Sequence, residues 1–378
     1  MKKVLLNHFD RVTKLCLWLA GASAKEAKAD LEIPSHTSNP LVPYIRNKNM
    51  DDTILVTGGC GYIGCRLVPR LIDLGYRVRV LDAMIFGNFL PEWAMASGSL
   101  EVIMGDIRDR GMLEASLKGC GAVVHLAALA NDPSADLDPA LARAVNRDAV
   151  ISLAENARAA SVRRFVNAST ATVYGVREER DVSEEFEHRP ITLYGRYKSE
   201  TDRLLAGMAS DDFVTVSLRS ATVCGWSPRM RLDLTVNILT LQAVTQGKIT
   251  VHGGQQMRPN IVIDDLVDAY VTLLKAPAFS VNGRAFNAGG ENHSVLEIAG
   301  IVRDTVAPEA EIAIEPVYDH RSYHISSRLI RDTLAFNPKL RIRDAAMQVA
   351  GAIHDGRIAD PENTIHRNVA HMKATIFQ

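Results

Sequence analysis

The chain has 378 residues, 47% of them hydrophobic and 23% charged, which is ordinary for a globular protein with room for one large or two moderate domains. Its 43 basic and 44 acidic residues are interspersed and leave a formal net charge of -1, so the expected partner is a small molecule, with no nucleic acid and no membrane. Five cysteines (Cys16, Cys60, Cys65, Cys120, Cys224) form no CxxC pair, which argues against a disulfide framework or zinc site and for a reducing, cytoplasmic compartment.

The first 49 residues differ in character from the rest. "LCLWLAGASA" (15–24) follows Lys2, Lys3, Arg11 and Lys14 and has the outline of a signal peptide, but its apolar core is short and His8 and Asp10 interrupt the basic end. A tail or amphipathic helix is the expectation, since the stretch is too short to cross a bilayer. "IPSHTSNPLVPY" (33–44) reads as a linker, with the ordered chain beginning near Met50.

From 53 to 220 strand-like and helical patterns alternate. The strand-like runs are 53–57, 76–82, 100–106, 121–128, 163–169 and 213–219, and helical patterns such as 138–160 and 192–209 have the length of crossover connections. This α/β alternation predicts a doubly wound parallel sheet. Beyond 220 the pattern loosens into Gly- and Pro-broken segments with helices near 233–246 and 264–275, read as a smaller domain interleaved with the last sheet strands.

"ILVTGGCGYIG" (54–64) places four glycines in seven residues between a strand and a helix. Gly58, Gly61 and Gly64 allow a tight turn, close backbone approach to a pyrophosphate, and close packing of helix on strand. The helix N-terminus then offers free N–H groups and a positive dipole end. Asp82 ends the next strand 18 residues after Gly64, where a carboxylate bonds the adenosine ribose hydroxyls and repels a 2′-phosphate, which favours NAD over NADP. Asp106 in "GDIRD" offers a carboxylate to the adenine edge, or a helix cap.

"YGRYK" (194–198) opens a predicted helix and sets Tyr194 and Lys198 on one face. A phenol with a pKa of about 10 is a poor base, but a neighbouring ammonium and a nicotinamide cation favour the phenolate. "YIRNK" (44–48) repeats the spacing within the linker and reads as chance; the second copy follows "NASTATVYG" (167–175), at the end of a central strand, where ligands gather. Thr170 there is placed to bond a substrate oxygen. No metal is expected: the eleven histidines include no HExxH, and His320 and His324 lack a third ligand nearby.

At these residues the sequence resembles the extended short-chain dehydrogenase/reductase family, in its nucleotide-sugar epimerase/dehydratase group. The likeness runs from about 53 to 350 and rests on TGGxGYIG, Asp82, "GDIRD", "HLAA" (125–128), "STATVYG", YxxxK, "RPNIVIDD" (258–265) and "DHRSY" (319–323). The resemblance implies a Rossmann-type NAD-binding domain over 50–220, a smaller C-terminal substrate domain over 221–378, a nucleoside diphosphate sugar as substrate, and a homodimer. By position it implies Thr170, Tyr194 and Lys198 as catalytic residues, and Gly58, Gly61, Tyr62, Ile63, Gly64, Asp82, Asp106, Ile107, Ala127 and Lys198 around NAD. Arg258 and Arg321 correspond to arginines that grip the substrate diphosphate, as forks for phosphate oxygens, and Thr222 and Arg231 are further candidates for substrate binding.

Sugar 4,6-dehydratases of this group carry Thr-Asp-Glu where this chain has Thr170, Ala171 and Thr172, so the sequence leans towards an epimerase acting by transient C4 oxidation and hydride return. A dehydratase or 4-keto-sugar reductase is the alternative, and a noncatalytic NAD-binding scaffold a third. The chain departs from the epimerases at Thr222, where they have asparagine. Arg229 lies near Arg231 as a further phosphate or sugar ligand or part of a solvated loop, and Cys224 reads as a packing residue.

Overall fold

A computed structural model of the chain describes residues 53–316 and 322–376. The tail and linker expected at 1–49, and Arg321, lie outside these residues.

Seven parallel strands form the main sheet: β1 (Thr53–Thr57), β2 (Val78–Asp82), β3 (Leu100–Met104), β4 (Cys120–His125), β5 (Arg164–Thr170), β6 (Val214–Ser220) and β10 (Arg284–Ala288). Their order is β10-β6-β5-β4-β1-β2-β3, so the chain steps outward from β1 to β3 and then crosses to β4 on the other flank. That reversal opens a crevice at the carboxyl ends of β1 and β4, where doubly wound sheets bind ligands. The register of Val56 with Val80 on one side and Val124 on the other aligns the three central tips.

β1 is buried on both faces because its residues alternate between two cores. Ile54 and Val56 join Leu67, Val68 and Leu71 of α1 (Gly64–Asp73), whereas Leu55 joins Leu81, Val123, Phe165 and helices on the opposite face. Those helices are α2 (Arg110–Leu117), α3 (Ala149–Ala159) and α4 (Leu193–Gly207). Truncating one such fully buried leucine to alanine costs about 2–5 kcal/mol.

The helical pattern expected over 138–160 is interrupted. A short helix, Pro139–Arg143, passes through a π-turn, Ala144–Asp148, before α3 begins. The buried Asn146 carboxamide accepts from the Leu129 N–H at 2.8 Å and donates to its carbonyl at 3.0 Å. A widened turn that presents a polar side chain to the loop after β4 explains the break.

The remaining strands form two small sheets. β7 (Thr222–Cys224), β9 (Met257–Val262) and β11 (Glu291–Ser294) make one; β8 (Lys248–His252) and β12 (Glu311–Glu315) make the other. α5 (Thr235–Gln246), α7 (Val295–Val306) and α8 (Ile342–His354) enclose a separate core with Ile249, Val251 and Val262, while α6 (Ile263–Lys275) packs back on the main sheet through Leu266 and Tyr270. α9 (Asn368–Thr375) ends the described chain.

Candidate active site

Gly58 leaves β1 with φ +72°, and a Cβ there would stand 2.6 Å from the Ala127 amide nitrogen just beyond β4. Only glycine allows the two tips to meet in that conformation. Gly64 is pressed on the Gly59 carbonyl, and α1 starts at Ile63 with no side-chain cap and no acidic residue in its first turn. Uncapped N–H groups at a helix start beside a strand-order reversal fit a pyrophosphate. Tyr62 uses its side chain differently: its hydroxyl donates to the Gly225 carbonyl at 2.6 Å and accepts from Asn237 at 3.1 Å. The ring therefore braces the glycine turn against β7, and the Tyr62 carbonyl accepts from the Ser227 hydroxyl at 2.7 Å, leaving the Tyr62 N–H as the part available to a phosphate.

Asp82 stands at the end of β2 beside this turn. Its carboxylate accepts the Cys60 N–H at 2.9 Å and the Met84 N–H at 2.7 Å. Burial raises its pKa, while the two N–H bonds pull it down. With one bond to each oxygen, it retains acceptor capacity for ribose hydroxyls. Asp106 is held in a fork by Arg108, with contacts of 2.6–3.0 Å that lower its pKa. The cap of α2 is instead Asp109, which accepts from Met112 at 3.1 Å, and Ile107 is buried in the core below.

α4 begins at Thr192, whose hydroxyl accepts the Gly195 N–H at 3.1 Å and donates to Asp132 at 2.7 Å. This cap directs Tyr194 and Lys198 inward. The Lys198 ammonium lies 5.9 Å from the Tyr194 ring centroid and donates to the Ala168 carbonyl of β5 at 2.6 Å. Two residues on, Thr170 ends β5, its hydroxyl accepting the Thr172 N–H and hydroxyl, each at 3.2 Å. Burial lowers the Lys198 pKa to about 8, against an upward pull from Asp202. Burial raises the Tyr194 phenol, Asp132 and Tyr323 raise it further, and Arg231 opposes them. The protein's own groups thus favour the protonated phenol, against the lowering expected from the ammonium; a nicotinamide cation, when bound, would add a charge that favours the phenolate.

Arg229 and Arg231 are buried, not part of a solvated loop. Arg231 pairs with Asp233 through bonds of 2.9 and 3.0 Å and acts electrostatically on Tyr194. Arg229 stacks 3.9 Å from the Phe86 ring centroid and donates to Asn368 at 2.6 Å. Thr222 opens β7 opposite Asn260 of β9, two residues from Arg258, which is also buried. Cys224 is fully buried beside Ile261, as a packing residue would be, and burial raises its thiol pKa.

The sequence from 54 to 289 matches the NAD dependent epimerase/dehydratase family. The chain belongs to that family. Its relatives include a UDP-glucose 4-epimerase of Lacticaseibacillus casei, 28% identical over 338 residues that cover 84% of this chain and 100% of the relative. Among solved structures, MoeE5 in complex with UDP-glucuronic acid and NAD superposes with a TM-score of 0.71 at 28% identity, covering 80% of this chain and 99% of MoeE5. A UDP-glucose 4-epimerase with UDP-glucose from Thermotoga maritima superposes at 0.72 with 25% identity, over 80% of this chain and 99% of the other.

Two features of this family member escaped sequence reasoning. A buried polar network lies beneath Lys198: Asp202 accepts from Arg219 and from Ser169, each at 2.9 Å, and Arg219 also donates to the Tyr174 hydroxyl at 2.9 Å. α9 ties loops around the crevice. Its His371 Nε2 donates to the Ile85 carbonyl at 2.8 Å and its Asn368 donates to the Ala130 carbonyl at 3.3 Å. The i+4 placement of Asp202 after Lys198 was a visible signal; the α9 contacts, more than 200 residues away in sequence, had none.

Proposed function

We propose that this chain is an NAD-dependent epimerase that inverts C4 of a nucleoside diphosphate sugar, with a UDP-hexose as the first substrate to test. Thr170, Tyr194 and Lys198 gathered at the carboxyl end of β5 carry this reading. The same segment has Ala171 and Thr172 where the sugar dehydratases it resembles place two carboxylates. Fold alone would not decide, because one fold hosts many activities.

In this mechanism Thr170 bonds the sugar's 4-oxygen and Tyr194 takes its proton as a general base. NAD, when bound, would supply the acceptor and donor for hydride at C4, so no cofactor would be consumed. Gly58, Gly61 and the start of α1 would hold the pyrophosphate, with Asp82 on the ribose and Asp106, Ile107 and Ala127 at the cofactor's flank. Lys198 would bond the nicotinamide ribose and adds a positive charge near the phenol. Arg231, Arg258 and Arg321 hold the diphosphate of the substrate, and Thr222 lies beside its path. The transient 4-ketose then presents its other face before the proton returns from Tyr194.

One observation favours a second reading. Asp132, a buried carboxylate, acts electrostatically on Tyr194 and would serve a dehydration as its acid. Its bond from Thr192 commits one oxygen to the start of α4. We further propose a homodimer, as the family resemblance implies, in a reducing, cytoplasmic compartment, which the free state of the four described cysteines supports; no helix among the described residues is long and apolar enough to cross a membrane. Tyr194→Phe tests the catalytic assignment; retained NAD with turnover lost by at least about 100-fold is expected, and full turnover would refute it.

A further inference from the structure

Asn167, Ala168 and Ser169 are three consecutive residues of β5, and all three are gripped by α4. Lys198 donates to the Ala168 carbonyl at 2.6 Å, and Ser169 donates to Asp202 Oδ2 at 2.9 Å. The Asn167 carboxamide lies 3.4 Å from Asp202 Oδ1. Asp202 is one helical turn beyond Lys198, on the same face of α4. Its carboxylate also takes the Arg219 guanidinium of β6 at 2.9 Å, both side chains being buried. A buried ion pair is weak evidence for stability, since its desolvation offsets much of the attraction. Its location directly under the catalytic lysine suggests a different use.

We propose that Asp202 is a positioning residue for the reaction, keeping the Lys198 ammonium charged and clamping the end of β5 on which Ala168 and Thr170 are carried. This rests on the functional reading above. The charged and titratable groups around Lys198 come from three elements. Tyr194 and Asp202 belong to its own helix, and Arg219 of β6 is paired with Asp202. From β4 comes His125, held neutral because burial and the Lys198 charge lower its pKa to about 3. Among the described residues, Asp202 is the carboxylate that opposes the burial of Lys198, whose pKa of about 8 is the net result.

Two substitutions then act in opposite directions on one observable. Asp202→Asn removes the negative charge that opposes the burial of Lys198, so the lysine titrates lower by about one unit or more. Arg219→Gln removes the cation that offsets the Asp202 carboxylate, and Lys198 titrates higher. The direct readout is NMR titration of 13C-lysine-labelled protein, with the Lys198 resonance assigned from Lys198→Arg, and it needs no turnover. Failure of the epimerase reading therefore leaves it intact. Where turnover is measured, the alkaline limb of kcat follows the same shifts while KM changes by less than about twofold. If Asp202→Asn fails to fold, Arg219→Gln alone decides by the sign of its shift. An unchanged Lys198 titration in the folded variants, or shifts of the same sign in both, would overturn the proposal.

Discussion

The Lys198 ammonium donates to the main-chain carbonyl of Ala168 at 2.6 Å, so a buried cation is fastened to the backbone of the central strand that ends in Thr170. A neutral apolar replacement of similar length keeps the packing and removes the charge. Lys198→Met is therefore expected to remain folded, to lower turnover by at least about 100-fold, and to loosen NAD. Turnover and the cofactor's absorbance in the purified protein check both effects together.

Stability will fall in mild acid. His125 is fully buried, its Nδ1 2.7 Å from the Thr57 hydroxyl, and burial lowers its pKa to about 3 from the ordinary 6.5. The unfolded chain binds a proton below pH about 6.5 that the folded chain refuses until pH about 3, so this contribution is complete at neutral pH and is lost as pH falls through that window. At pH 5 the loss from this residue is about 2 kcal/mol. Urea unfolding at pH 7 and pH 5 measures it, and a His125→Gln variant should show a flatter dependence between the two.

α9 fastens the loop that follows Asp82. His371 stacks on Phe86, with ring centroids 5.0 Å apart, while donating to the Ile85 carbonyl, and Arg229 covers Phe86 as well. His371→Ala should speed NAD release by about tenfold, equivalent to about 1.4 kcal/mol. Asn368→Ala, which strips the buried Arg229 guanidinium of an acceptor, should cost about 1–3 kcal/mol of stability. Stopped-flow displacement of NAD and thermal unfolding distinguish the two effects.

What sequence reveals here is what is local. The glycine turn, Asp82 and the Tyr194–Lys198 spacing each arise within one strand-turn-helix segment, where hydrophobic period and turn chemistry agree. The third strand is shorter than "LEVIMGD" suggests, ending at Met104, because Asp106 turns back to accept from the Arg108 N–H at 2.8 Å. The π-turn around Asn146 was invisible because its cause is the backbone of Leu129, seventeen residues earlier. Arg229 and Arg231 read equally well as loop residues, since Asn368 is remote in sequence and a neighbouring Asp233 gives no sign of burial. The Tyr194 phenol illustrates the same limit: its spacing from Lys198 was legible, but the upward push of burial and of Asp132 belongs to the folded site.

The measurement that bears most directly on the central claim is proton NMR and mass of the product formed from UDP-glucose and UDP-galactose, with reduced cofactor followed by absorbance. Interconversion of the two at unchanged mass, with no net NADH formed or consumed, is the predicted result. A product lighter by one water, or net oxidation of added NADH, would contradict it and turn attention to Asp132.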